Sequence, residues 1–277
     1  MQKCLFLGIL AFCCLTSCKV VSPYAEQKYA EANKSWEAGD KEKAVNNLLE
    51  AVKDSPMYYD ARVKLGNYYR EMGQHEKALA QYESAISIDS DNPNSLILAG
   101  ETCITIARSE DVEESLKTYL KGQHKFSQAL ALRLQGQEHN FRSKLGKGIC
   151  LLKRTLKEDA KTLLEEALAL RPDDPDAIFY NAVLREKERG ANKESIDTYQ
   201  SVLAKNPNHL EALKQMGDTF KDRDLTETAR EYYEKYTKAG GSSRSIKKWM
   251  EDNPVKTGDP GTAKGSEKEV IMVCPEC

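Results

Sequence analysis

The sequence predicts an all-α solenoid of about six helical hairpins, closed by a short capping helix near its carboxyl end. A pattern of small and large apolar residues recurs about every 34 positions between residues 25 and 243, the mark of a repeat architecture. Charged residues make up 30% of the chain, against 16 glycines and 9 prolines in 277 residues, which suits an exposed helical surface better than a sheet protein. The pairs Asn92-Pro93, Asp174-Pro175 and Asn206-Pro207 read as helix caps followed by proline at the first helical position. The length is enough to bury a real core. A net charge of −2 leaves no bulk field that would attract nucleic acid, so none is expected as a partner.

Residues 1–17 read as a targeting segment rather than as part of the fold. Lys3 supplies a positive charge, and Cys4 to Leu15 form an apolar run of about a dozen residues. A permanent helix across a ~30 Å hydrocarbon core needs roughly 20. The run ends in Leu15-Thr16-Ser17-Cys18, which resembles a bacterial lipobox. That resemblance implies cleavage before Cys18, a diacylglyceryl group on its thiol and a third acyl chain on the new amino terminus. Each buried methylene contributes ~0.8 kcal/mol, and two chains already anchor stably. Lys19, rather than aspartate, follows the cysteine. By resemblance to enterobacterial sorting, this favours the outer membrane, facing the periplasm. Residues 18–24 form a spacer whose reach, at ~3.5 Å per residue, is at most about 20 Å.

The body divides into units at about 25–58, 59–92, 93–136, 141–174, 175–209 and 210–243. The clearest is 59–92, with Leu65-Gly66-x-x-Tyr69, Gly73 and Ala78-x-x-x-Tyr82-x-x-Ala85. One repeat earlier, Gly39, Ala44, Ala51 and Pro56 answer it, and Met216-Gly217-x-x-Phe220 with Ala229-x-x-x-Tyr233 answers it near the other end. Ala160-x-x-x-Leu164 and Ser195-x-x-x-Tyr199 mark two units between them. The unit 93–136 is irregular. A first helix over Leu96 to Ala107 and a second ending near Leu132 leave an insertion of about ten residues within 108–125.

These motifs resemble the tetratricopeptide repeat, which implies a right-handed superhelix of helix pairs. Ala32, Gly66, Gly100, Gly148, Ala182 and Gly217 let the first helix of each pair approach the second closely, with Ala44, Ala78, Ala160 and Ala229 opposite. Tyr69, Tyr82, Phe220 and Tyr233 are expected to fill the space between neighbouring pairs. Ala239-Gly240-Gly241 ends the array. Residues 244–252 form a capping helix with Ile246 and Trp249 on one face, since a solenoid must cover its last apolar surface. Residues 253–277, rich in Lys, Gly, Thr, Pro and Glu, are expected to form a disordered tail.

No arrangement of residues for catalysis stands out, and neither an enzyme nor a cofactor is expected. His75, His124, His139 and His209 are scattered near turns and read as solvated surface; no nucleophile elbow, phosphate loop or two-histidine zinc helix is present. Cys103 and Cys150 fall on apolar stretches and read as buried small hydrophobes. The terminal Cys274-Pro275-Glu276-Cys277 is half of a zinc site or a redox pair. No second pair exists in the mature chain, so Cys274 and Cys277 are weak metal candidates. They carry the alternative reading of a thiol or metal carrier.

The tetratricopeptide resemblance also implies a concave groove, lined by the first helices, that receives a protein or peptide partner. Carried over unit by unit, it includes Tyr29, Asn33, Trp36, Val63, Asn67, Arg70, Phe179, Lys214 and Lys221. Asn33 and Asn67 occupy equivalent places, where an amide offers one donor group and one acceptor to a ligand backbone. Tyr29 and Trp36 are aromatic anchors of the kind enriched at binding hot spots, or shields for the uncapped first hairpin. The carboxylate clamp of chaperone-binding relatives needs lysine where Tyr29 stands, so that ligand is not expected. Lipobox plus about six units loosely resembles the pilotin lipoproteins of type IV pilus assembly. This implies a lipid-anchored, non-enzymatic scaffold for a pilus, secretion or outer-membrane complex.

Overall fold

The computed structural model describes residues 21–254, except 110, 111, 133–135 and 191. The described residues form thirteen α-helices and no strand. They are α1 (Pro23–Glu37), α2 (Lys41–Asp54), α3 (Tyr59–Glu71), α4 (His75–Ile88), α5 (Pro93–Ser109), α6 (Val112–Ala131), α7 (Gln137–Lys153), α8 (Lys157–Leu170), α9 (Pro175–Arg189), α10 (Lys193–Lys205), α11 (Leu210–Lys221), α12 (Thr226–Lys238) and α13 (Arg244–Asp252). Each odd-numbered helix up to α11 packs against the even-numbered one that follows, and each pair stacks on the next. The fold is a tetratricopeptide-like solenoid.

Local chemistry sets the helix starts. Ser22 caps α1 by accepting from the Ala25 amide at 3.0 Å with Pro23 in the first turn, so the helix begins at Pro23, two residues before the expected start of the first unit. Asp174 caps α9 in the same way, accepting from Ala177 at 2.9 Å, and Pro93 opens α5. Asn206-Pro207 departs from the expectation. Pro207 lies in a turn, and α11 starts at Leu210 under a cap from His209, whose Nδ1 accepts from the Ala212 amide at 3.1 Å. His209 is therefore not solvated surface. It is buried, and its Nε2 lies 3.0 Å from Asp176 Oδ1.

Four of the hairpin turns share one geometry. After α1, α3, α7 and α11 the chain closes with a 6→1 bond, as in Asp40 N to Ser35 O at 2.9 Å and Leu225 N to Phe220 O at 3.0 Å. The left-handed residue inside each turn is Gly39, Gly73, Thr155 or Asp224.

Packing inside each hairpin follows from the small residues. A Cβ at Gly66 would fall 2.5 Å from the Tyr82 ring, one at Gly148 2.8 Å from Leu164, and one at Gly217 2.3 Å from Tyr233. The rings of Tyr82 and Tyr233 thus lie across the glycine of their own hairpin rather than between neighbouring pairs. Phe126 does both: Cβ atoms at Gly100 and Gly146 would meet it at 2.7 and 2.2 Å. The core runs the length of the solenoid as two clusters that share Ile86 at their boundary.

Among the described residues, the extra residues of the third unit lie in helix. They lengthen its helices: α5 has 17 residues against 13 in α3, and α6 has 20 against 14 in α4. At the other end Tyr236 donates to the Ser242 carbonyl at 3.2 Å and α13 folds back over α12. Its Ile246 is buried, and Trp249 meets Tyr233 edge-on at 5.1 Å.

Candidate partner-binding face

The first helices approach one another on one side of the solenoid, where α5 packs on α7 and α7 on α9. Side chains spaced three and four apart on these helices form a continuous polar and aromatic face.

At the α1–α3 end the face is aromatic and internally bonded. Trp36 stacks on Tyr68 with ring centres 3.8 Å apart and planes 5° from parallel, and Tyr29 leans on Tyr58 at 5.4 Å. The Tyr68 hydroxyl donates to Asn33 Oδ1 at 3.0 Å, and Tyr82 donates to Asn67 Oδ1 at 2.7 Å. Burial raises the Tyr29 pKa, and a hydrogen bond with Asn33 partly offsets it. Both asparagine carbonyls are therefore already engaged. Asn33 joins Tyr29 to Tyr68. Burial pushes Tyr68 and Tyr82 up to about 12, so both hydroxyls stay protonated donors. Val63 is half-buried against the same cluster.

Through the middle the face is ionic. Arg142 on α7 grips Glu101 on α5 with two bonds of 2.7 and 2.8 Å, and Arg70 on α3 approaches the same carboxylate at 3.6 Å. Three successive first helices are tied through one glutamate, and the fork geometry makes the Arg142 pair the stronger.

Beyond it, Arg108 reaches out of the lengthened end of α5. Its Nη2 donates to the Tyr180 hydroxyl on α9 at 3.0 Å, and its Nε pairs with Glu211 on α11. The brace skips over α7 and joins the third hairpin to the fifth and sixth. Lys214 pairs with Asp218 at 2.7 Å; Asp218 also accepts from Tyr233 at 2.6 Å and lies 3.9 Å from Lys221. Glu186 on α9 accepts from Tyr199 and, at 3.2 Å, from Gln215 on α11. At the end of α7, Lys153 stands in this part of the face.

Of the residues expected to line the groove, Phe179 does not reach it. It occupies the same place in its unit as Tyr29 and Val63 do in theirs. Its ring is 2% exposed, however, and is covered by Tyr180, Tyr199 and His209 at 5.0 to 5.4 Å. Arg108, Lys153, Glu101, Arg142 and Glu211 were not singled out in the sequence. No repeat position marks them, because their partners come from other units. Cys18, Cys274 and Cys277 lie outside the described residues. Cys103 and Cys150 are buried near Gly122, and burial, with Cys103 adding to it, pushes the Cys150 thiol far up. Among the described residues no group of three or more His, Cys, Asp or Glu is placed to hold a metal ion, and no helix is long and apolar enough to cross a membrane.

Residues 66–102 match a family model described as TPR repeat, and residues 146–209 match one described as tetratricopeptide repeat. Tetratricopeptide repeat protein 37 of Xenopus laevis is 28% identical over 204 residues, a match covering 65% of this chain and 13% of that protein. Among solved structures, PilW, described as a widely conserved type IV pilus biogenesis factor, superposes with a TM-score of 0.57 at 19% identity, over 83% of this chain and 99% of PilW. The pilF protein of Pseudomonas aeruginosa gives 0.54 at 18% identity, over 83% and 97%.

Proposed function

We propose that this chain, which carries tetratricopeptide repeats on an all-helical solenoid, is a non-enzymatic adaptor whose face of first helices binds a protein partner. We further propose that lipids on Cys18 hold it to a bacterial membrane, the outer one, where it assembles or localises a cell-envelope complex. The observation that carries the binding role is the face itself. It presents side chains of successive first helices in register, from the Trp36–Tyr68 stack to the Arg108 brace, and repeat stacking holds their spacing. The anchor rests on Leu15-Thr16-Ser17-Cys18 after a short apolar run. The likeness to PilW supports the choice of an envelope complex, since that protein is described as a pilus biogenesis factor.

Two measurements test this. Affinity capture with the membrane-extracted full chain should return a stable protein partner, and none at all would sink the adaptor reading. Fractionation of Cys18→Ala should move the protein out of the membrane pellet. Wild-type levels in the pellet would refute the lipid anchor while leaving the adaptor reading intact.

A further inference from the structure

We propose that a cleft between the second helices α4 and α6 receives an arginine side chain from a basic segment of a protein partner. The site lies outside the face of first helices, so it stands or falls apart from the adaptor reading of that face.

Helix spacing builds the cleft. Glu76, Leu79, Ala80 and Glu83 recur at three- and four-residue intervals and share one flank of α4. Glu114, Thr118 and Lys121 do the same on the lengthened α6. The two flanks, with Ile106 of α5, line about 200 Å³ of open space. Small-molecule sites run to roughly 300–1,000 Å³, so this one suits a single long side chain better.

Three features of the lining select that side chain. Leu79, Ala80 and Ile106 offer an apolar surface for an aliphatic stem. Three carboxylates against one ammonium, that of Lys121, favour a cationic head. Glu114 is paired with Lys117 at 3.2 Å, whereas Glu76 and Glu83 have no ion pair within 4.0 Å among the described residues. The third feature is Thr118, which is only 5% exposed. A helical threonine commonly bonds the carbonyl four residues back, as Thr102 does with Leu98 at 2.7 Å. Among the described residues the Thr118 hydroxyl makes no such bond and no other. Its oxygen is not sealed from solvent, so it opens into the cleft that the residue lines. Arginine meets all three demands, because its planar fork of five N–H donors can serve carboxylates and a hydroxyl together. Lysine brings three donors on a more strongly hydrated point charge.

The test uses the full chain in detergent at about 0.15 M salt, where exposed charges are screened. A fluorescein-labelled peptide of three Arg-Ala repeats is followed by fluorescence anisotropy, with matching citrulline and lysine peptides as comparison probes. The arginine peptide should bind, the citrulline peptide should not, and the lysine peptide should bind about threefold more weakly. Glu76→Gln combined with Glu83→Gln should weaken the arginine peptide about tenfold or more, and Thr118→Val about threefold. Ala80→Phe, which fills the cleft and leaves every charge in place, should weaken it as much as the double variant. Glu158→Gln combined with Glu165→Gln, at the same places on α8, should leave the affinity unchanged. Thermal melts that match wild type show that the variants keep the fold. Absent arginine binding, equal binding of the citrulline or lysine peptide, or unchanged affinity in any of the three cleft variants overturns the proposal. An equal loss in the α8 variant overturns it too, since the peptide would then be held by diffuse acidic charge.

Discussion

Thr155 and Asp224 hold left-handed backbone, at φ 65° and 60°, in turns where the equivalent residues are Gly39 and Gly73. A side chain there costs about 1–2 kcal/mol, while glycine costs about 0.5–1 kcal/mol more in the unfolded chain. Thr155→Gly should therefore stabilise the protein by roughly 0.5–1 kcal/mol, seen as a rise of about 2 °C in Tm. An unchanged or lower Tm would show that the threonine has a compensating contact. Titration of stability reports on other single residues. With Lys153 lowered to about 8 in the fold and an ordinary value of 10.5, the unfolded chain binds more protons between those values, so stability should rise with pH across that window. Tyr68 and Tyr82 are raised from 10.0 to about 12, so the unfolded chain loses protons first, and stability should fall as pH climbs from 10 to 12. Melting curves across pH 7–12 should show the shallow rise before the fall. A flat profile below pH 10 would contradict the lowering of Lys153 in the fold. Residue types alone could not reveal these environments. Asn33 and Asn67 were legible as equivalent positions, but not their engagement by Tyr68 and Tyr82, because the donors sit in other helices.

The hairpins were legible because close approach leaves a strict trace in the sequence: glycine under a ring at Gly66–Tyr82 and Gly217–Tyr233 repeats wherever two helices must touch. What left no trace was the fate of the extra residues in the third unit. A helix that outruns its repeat adds residues with no packing period to read, so an inserted segment and a lengthened helix look alike. In the fold the extension of α5 carries Arg108 to Tyr180 and Glu211. Arg108→Gln should leave the carboxylate of Glu211, whose side chain is 16% exposed, without its ion pair and destabilise the protein by about 1–3 kcal/mol. Hydrogen exchange should then rise in α9 and α11 more than in α1 and α2. Uniform protection across the variant would mean that the contact holds nothing in place. Asn206-Pro207 misled for a related reason: a buried imidazole, His209, took over the cap that the proline pair seemed to announce.

Across the whole molecule, the face of first helices was legible as a surface and only partly as a list. Tyr29, Asn33, Trp36, Val63, Asn67, Arg70, Lys214 and Lys221 lie on first helices as the repeat register requires. Phe179 has the right register, but its ring is covered by Tyr199 and His209. The ionic half of the face belongs to contacts between units, which no single repeat encodes. In an ideal array each hairpin touches only its neighbours, and stability is nearly a sum along a line. The Arg108 brace breaks that rule between α5 and α11, closing the later hairpins into a ring while α1 to α4 remain a simple stack. A chain tugged from its amino terminus would therefore yield unevenly. The first two hairpins would peel away one at a time, like an extensible leash, and the braced block would let go in a single later step.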